Sequence, residues 1–190
     1  MPALPFLEPD KREQALLIKM VRQVISDGVA HSRLILPDEP DVESLCQPAA
    51  SFVTLFRDGE LRGCIGTTKV TKPLWKDACR HGYSSAFEDH RFLPLNINEL
   101  EHLSIEISIL SPMVEMENRG EQKLLNELSP NIDGLMIKQG QQGALFLPAV
   151  WRSLAIPAEF LRALKKKAGW PDDYWSDDIR LFKFTTFTCK

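Results

Sequence analysis

Between Asp10 and Gly28 the apolar residues Leu16, Leu17, Met20, Val21, Val24 and Ile25 recur at helical spacing. The stretch therefore predicts an amphipathic helix whose stripe lies in the core. Asp10-x-x-Glu13 has the form of a capping box, and Gly28 reads as the stop. Residues 37–48, with prolines spaced among acidic residues, read as a connecting loop. At Ser51-Phe52-Val53-Thr54-Leu55-Phe56-Arg57 the composition turns aromatic and β-branched. The Asp58-Gly59 that follows predicts a hairpin into residues 60–67. A two-residue turn sets Arg57 opposite Glu60, Leu55 opposite Arg62 and Val53 opposite Cys64. Leu61, Gly63 and Ile65 then share a face with Phe52, Thr54 and Phe56. Both faces carry apolar groups, so the ribbon reads as covered on both sides, with Arg62 and Cys64 partly buried.

Further along, Pro73 opens a helix that runs to Phe87. Residues 99–102 turn into a period-two strand over 104–110. Its isoleucines face one way, Glu106 and Ser108 face the other, and Pro112 closes it. Residues 121–128 read as a short helix, and 134–138 and 143–147 as two strands joined by a Gln/Gly turn. An amphipathic helix spans 157–168 and ends at Gly169, and the alternating tail 179–188 returns to a sheet. Strands and helices mix without a βαβ rhythm, which favours an α+β fold with antiparallel sheet over a doubly wound one.

Composition changes this picture little. The chain has 190 residues, 44% hydrophobic and 26% charged, enough for a real core in an ordinary globular protein. A net charge of −3 gives no global pull toward nucleic acid or an anionic membrane. No apolar run approaches the roughly 18 residues of a membrane span. The opening Met1-Pro2-Ala3-Leu4-Pro5 lacks the basic and apolar regions of a signal peptide. Cys46, Cys64, Cys79 and Cys189 show no CxxC spacing, so a cytoplasmic location is expected.

Candidate chemistry centres on Leu61-Arg62-Gly63-Cys64-Ile65-Gly66. On a strand, Arg62 and Cys64 share one face at a separation of roughly 6–7 Å. A guanidinium there would favour the thiolate. Glu106 and Ser108 join them if the strand at 105–110 lies alongside, giving an acid, a base and a nucleophile. The plainer alternative makes Cys64 a small buried hydrophobe and pairs Arg62 with Glu106 as a structural ion pair. Gly63 and Gly66 mark a bulge or a close approach, by another backbone or by a ligand. Phe87-Glu88-Asp89-His90-Arg91-Phe92 concentrates charge at a helix exit, either as a functional loop or as a helix terminus anchored by its aromatics. The histidines lack metal-ligand spacing, and no metal or cofactor is indicated. Arg162 and Lys165–Lys167 form a basic patch that the helix dipole and solvation explain better than nucleic acid does.

Several motifs in order resemble the AMME chromosomal region gene 1 domain family, whose bacterial and archaeal members are called AmmeMemoRadiSam system protein A. They are Phe52-Val53-Thr54-Leu55, Asp58-Gly59-Glu60-Leu61-Arg62-Gly63-Cys64-Ile65-Gly66-Thr67, Ala86-Phe87-x-Asp89-x-Arg91-Phe92, and Ile105-Glu106-Ile107-Ser108-Ile109-Leu110-Ser111-Pro112. Asp133-Gly134-Leu135, Phe146-Leu147-Pro148-x-Val150-Trp151, and Lys167-Ala168-Gly169 leading to Trp175 complete the set. The chain departs from the family at His81-Gly82, usually Asn-Ala, at His90, usually Pro, and at Lys165, often Cys. The resemblance implies one AMME-type domain over 1–190, built of two lobes. The larger, about 1–112 plus 177–190, holds an antiparallel sheet flanked by helices. The smaller is an α/β insertion, about 113–176, and the signature strand faces a cleft between the two. It further implies a component of a modification pathway, acting with Memo-like and radical-SAM partners through that cleft. The candidate catalytic residues are Cys64 and Arg62, and the candidate binding residues Leu61, Gly63, Ile65, Gly66, Thr67, Asp89, Arg91, Glu106 and Ser108. The other two readings are a cysteine-dependent enzyme using Cys64 with Arg62, and a nucleic-acid-associated factor.

Overall fold

A computed structural model describes residues 6–190. The opening segment, read above as lacking a signal peptide, lies outside them. In chain order the elements are α1 (Lys11–His31), α2 (Glu43–Cys46), β1 (Ser51–Arg57), β2 (Glu60–Gly66), α3 (Leu74–Phe87), a 3₁₀ turn (Ile97–His102), β3 (Leu103–Leu110) and β4 (Val114–Met116). Then come α4 (Glu121–Glu127), β5 (Gly134–Gln139), β6 (Gln142–Phe146), a 3₁₀ turn (Pro148–Arg152), α5 (Pro157–Lys167), β7 (Arg180–Phe184) and β8 (Thr186–Cys189). The fold is α+β with two four-stranded antiparallel sheets, β2-β1-β3-β8 and β4-β7-β5-β6. The chain divides into two compact units, one running to Leu110 and including Phe187–Lys190, the other spanning Ser111–Thr186.

In the first unit α1 begins as its capping box requires. The Asp10 carboxylate accepts from the N–H groups of Arg12 and Glu13, and Glu13 accepts from the Asp10 N–H at 2.7 Å. Gly28 is not the stop. The helix runs on to His31 and ends on Ser32 in the left-handed conformation. Gly28 is there because α3 crosses close by: a Cβ would overlap the Phe87 ring and touch Tyr83. The expected loop at 37–48 holds a single helical turn, α2. Leu17, Val21, Ile25, Leu74 and Ala78 from the helices bury against Val53, Leu55, Ile105, Ile107 and Ile109 of the sheet.

Asp58 and Gly59 both have positive φ, 51° and 86°, as the two-residue hairpin turn needs. Arg57 pairs with Glu60 and Phe56 with Leu61, and there the expected register fails. Leu55 lies opposite Gly63, so Arg62 is the extra residue of a β-bulge. Thr54 then faces Cys64, Val53 faces Ile65 and Phe52 faces Gly66. Gly63 and Ile65 therefore join Leu55 and Val53 on the core side, while Cys64 and Leu61 share the other side with Thr54 and Phe56. The expected sharing of one face by Leu61, Gly63, Ile65, Phe52, Thr54 and Phe56 does not occur. The reason is steric: at Gly63 the β2 backbone lies against the Ser85 carbonyl of α3, where no Cβ fits. On its other flank β1 pairs with β3, setting Thr54 opposite Glu106 and Phe52 opposite Ser108.

In the second unit β5 and β6 form the expected hairpin, and β7 pairs with both β4 and β5. The alternating tail, read as one strand, is two: β7 belongs to this sheet and β8 to the other. Trp151 stacks on Phe160 at 3.8 Å and donates its indole N–H to the Asp133 carbonyl. Lys165, expected among solvated cations, is 1% exposed and donates to both Glu121 oxygens, at 3.0 and 3.1 Å. Its position on α5 faces the core stripe of Phe160, Leu161 and Leu164, so a partner carboxylate is needed. Among the described residues no helix is long and apolar enough to cross a membrane.

Candidate functional site

β2 is the terminal strand of its sheet, and in a strand the N–H and C=O of one residue point the same way. At Cys64 both are taken by side chains of the segment that follows α3. The Cys64 N–H donates to Asp89 Oδ2 at 2.9 Å, and Arg91 Nη2 donates to the Cys64 carbonyl at 3.2 Å. Arg91 also donates to both Asp89 oxygens, at 2.9 and 2.7 Å. Together the two side chains stand in for a neighbouring strand. The Arg91 hydrogen bond, helped by the Cys64 N–H, holds the Asp89 carboxyl down at about 2. Asp89 in turn raises Arg91 above the ordinary guanidinium value.

On the inner side Ser85 of α3 enters the ladder between β1 and β2. Its Oγ accepts from the Ile65 N–H at 2.9 Å and donates to the Val53 carbonyl at 2.8 Å. The Cys64 backbone is thus held from both sides by α3 and the segment leaving it. At the sulfur, Thr54 Oγ1 donates to Cys64 Sγ at 3.2 Å. Glu106 lies across β1 from this pair and takes Lys190 Nζ at 2.9 Å. Ser108 is buried opposite Phe52.

Arg62, turned aside by the bulge, pairs with Glu99 and not with Glu106. Its Nε donates to Oε1 at 2.7 Å and its Nη2 to Oε2 at 3.2 Å, with a further bond from Nη2 to the Leu93 carbonyl at 2.8 Å. Arg57 adds a contact to Oε1 at 3.4 Å. Glu99 is placed by a second capping box, accepting from the Asn96 N–H at 3.1 Å. Arg62 first, then the Asn96 N–H, hold its carboxyl below the usual range. Phe92 carries a guanidinium carbon of both arginines near its ring, Arg62 at 5.7 Å and Arg91 at 5.5 Å. Around this pair three large apolar side chains are exposed: Leu61 at 42%, Leu93 at 84% and Ile97 at 65%.

The sequence-predicted residues therefore separate into two neighbouring groups. Cys64, Asp89 and Arg91 form one, with Glu106 and Ser108 on the same face of the sheet. Arg62 belongs to the other, with Glu99 and Leu61. Gly63 and Ile65 serve contact with α3, and Gly66 lies under the Phe52 ring. Thr67 ends the strand, donating its N–H to Ser51 and accepting from the Lys69 N–H at 3.0 Å. His81 meets Asp77 at 3.2 Å, His90 is exposed, and no cluster of three metal-ligating side chains occurs among the described residues. Glu99, Ser85 and Thr54 escaped the sequence reading. Only Glu99 left a signal, the Asn96-x-x-Glu99 spacing of a capping box.

The family model for AMMECR1 matches residues 18–189. A protein of Thermotoga maritima is 35% identical over 171 residues, covering 88% of this chain and 93% of the relative. Protein TK0174 of Thermococcus kodakarensis is 34% identical over 182 residues, 89% of this chain and 85% of its own length. The crystal structure of protein PH0010 from Pyrococcus horikoshii superposes with a TM-score of 0.87 at 29% identity, covering 96% of this chain and 93% of that one.

Proposed function

The chain belongs to the AMMECR1 family, and from that premise we propose that it is a binding component of a cytoplasmic modification pathway. Its partners in this reading are a Memo-like protein and a radical-SAM protein, as the motif resemblance to AmmeMemoRadiSam system protein A implies. The recognition surface is β2 with the segment from Asp89 to Glu99. One observation carries the reading. Leu61, Leu93 and Ile97 are exposed around the Arg62–Glu99 pair, each on a segment that this pair ties down. Apolar side chains held out around a fixed charge pair form the kind of patch that partners cover. Asp89 and Glu99 are committed to internal partners, which suits a preorganised surface better than an acid–base site. The test is assembly with the two partner proteins in vitro. The double substitution Leu93→Asp with Ile97→Asp, on exposed positions, is expected to weaken the complex at least about tenfold, while Cys64→Ser leaves it intact. Assembly at wild-type strength by the double variant would overturn the reading.

A second reading, thiol chemistry at Cys64, is favoured by the hydroxyl of Thr54 aimed at the sulfur. A donor there stabilises a thiolate. Labelling with iodoacetamide across pH is its test, and a Cys64 that stays unlabelled in the native protein refutes it. For a nucleic-acid factor the basis has shrunk. Lys165 is buried against Glu121, and Lys167 donates to the Leu145 carbonyl and lies over the Phe146 ring.

A further inference from the structure

A guanidinium carries five N–H donors in one plane. In Arg62, three are used: Nε–H and one Nη2–H on Glu99, the other Nη2–H on the Leu93 carbonyl. Nη1 is buried and has no acceptor among the described residues. A buried cationic donor without a partner is unfavourable, and the fold offers no internal remedy. Glu99 cannot turn to serve Nη1, because Oε1 already takes Arg62 Nε and Arg57, and Oε2 takes Arg62 Nη2 and both nitrogens of Asn96. Asp89 is likewise held by Arg91 and Cys64.

The group lying against this guanidinium is Phe92, which also meets Arg91. The backbone of the Phe92 segment is fastened on both sides of the ring. Asp89 is buried and its carbonyl takes the Phe92 N–H at 3.0 Å, while buried Leu95 donates to the Ala86 carbonyl at 2.9 Å. Between them the Leu93 carbonyl takes Arg62 Nη2 at 2.8 Å, and the Arg91 guanidinium bonds Asp89 and the Cys64 carbonyl. What can move without breaking these bonds is the half-buried Phe92 ring itself, by rotation of its side chain.

We infer that Arg62 is the fixed half of an oxyanion-binding site, with Phe92 as its displaceable cover. A carboxylate or phosphate that moves the ring is received by the two N–H groups of Nη1 as a charge-assisted hydrogen bond, with Arg91 beside the same ring as a second cation. The inference rests on reading β2 and its neighbouring segment as the recognition surface, and it names the chemistry recognised there. Acidic side chains of a protein partner and phosphorylated small molecules both carry the group.

The test titrates the full chain with sodium acetate and, separately, with inorganic phosphate. Ionic strength is held constant with chloride, and the Arg62 Nε–H resonance is followed by NMR. A saturable shift at Arg62 is expected, and Phe92→Ala, which keeps Arg62 and Glu99, should bind the same anion at least about threefold tighter. Preference for acetate points to an acidic side chain, and preference for phosphate to a phosphorylated ligand. A wild-type resonance that does not move overturns the inference, as do shifts confined to exposed lysines and arginines, the mark of an adventitious ion only. If Phe92→Ala does not fold, the wild-type titration decides alone. Partner assembly is not read in this experiment, so its failure leaves the assembly reading standing.

Discussion

Asp89 takes the Cys64 N–H and both faces of its pairing with Arg91, and each of these bonds is strongest while the carboxylate is charged. Its folded value of about 2 lies below the roughly 3.9 of an unfolded aspartate. A depressed carboxyl contributes stability that is fully present above the unfolded value and is lost as pH falls through the folded one. The window is therefore about pH 4 down to 2, and the contribution on the order of 2 kcal/mol. Asp89→Asn is expected to lower stability by about that amount at pH 7. The gap from wild type should close as pH falls toward 2, which urea unfolding at a series of pH values would measure. A constant gap across that range would mean that charge is not what Asp89 supplies.

At the scale of elements, the contact between β2 and α3 fixes everything around Cys64. Gly63→Ala would push a methyl into the Ser85 carbonyl, a backbone atom that cannot rotate away. Overpacking of this kind costs about 1–3 kcal/mol, and the upper end is expected because α3 also carries the Ser85 hydroxyl into the ladder. A fall in the urea midpoint at unchanged slope would confirm it. The same contact explains where sequence reasoning stopped. The four longer helices, the Asp58-Gly59 turn and the strands at 51–57, 104–110, 134–138 and 143–147 were legible because their periods and turn residues are local. Gly63 marked a bulge or a close backbone approach, but the residue set aside, Arg62, was not legible, since the cause lies in a helix more than twenty residues away. A one-residue slip in register moves every later side chain to the other face. That slip separated Arg62 from the Cys64 side chain and turned it toward Glu99. Gly28 shows the same limit: its reason is the ring of Phe87, not the end of its own helix.

For the molecule as a whole, the four thiols report on order in graded fashion. Cys46 and Cys64 are half-buried, whereas Cys79 and Cys189 lie in the core of the first unit, where burial pushes their thiols to about 12 and about 11. In the iodoacetamide labelling that tests Cys64, Cys79 and Cys189 should react at least about a thousandfold more slowly than an open thiol. Their rates should rise with urea as that unit unfolds. Peptide mapping would separate the four sites, and native-state labelling of Cys79 would contradict the packing described for α3. The division of the tail between β7 and β8 also carries meaning for synthesis on the ribosome. β7 lies inside one sheet and β8 closes the edge of the other, with Thr185 alone between them in the sequence. Neither sheet can be completed until residues 180–189 have emerged, so a nascent chain holds both hydrophobic cores unfinished until then.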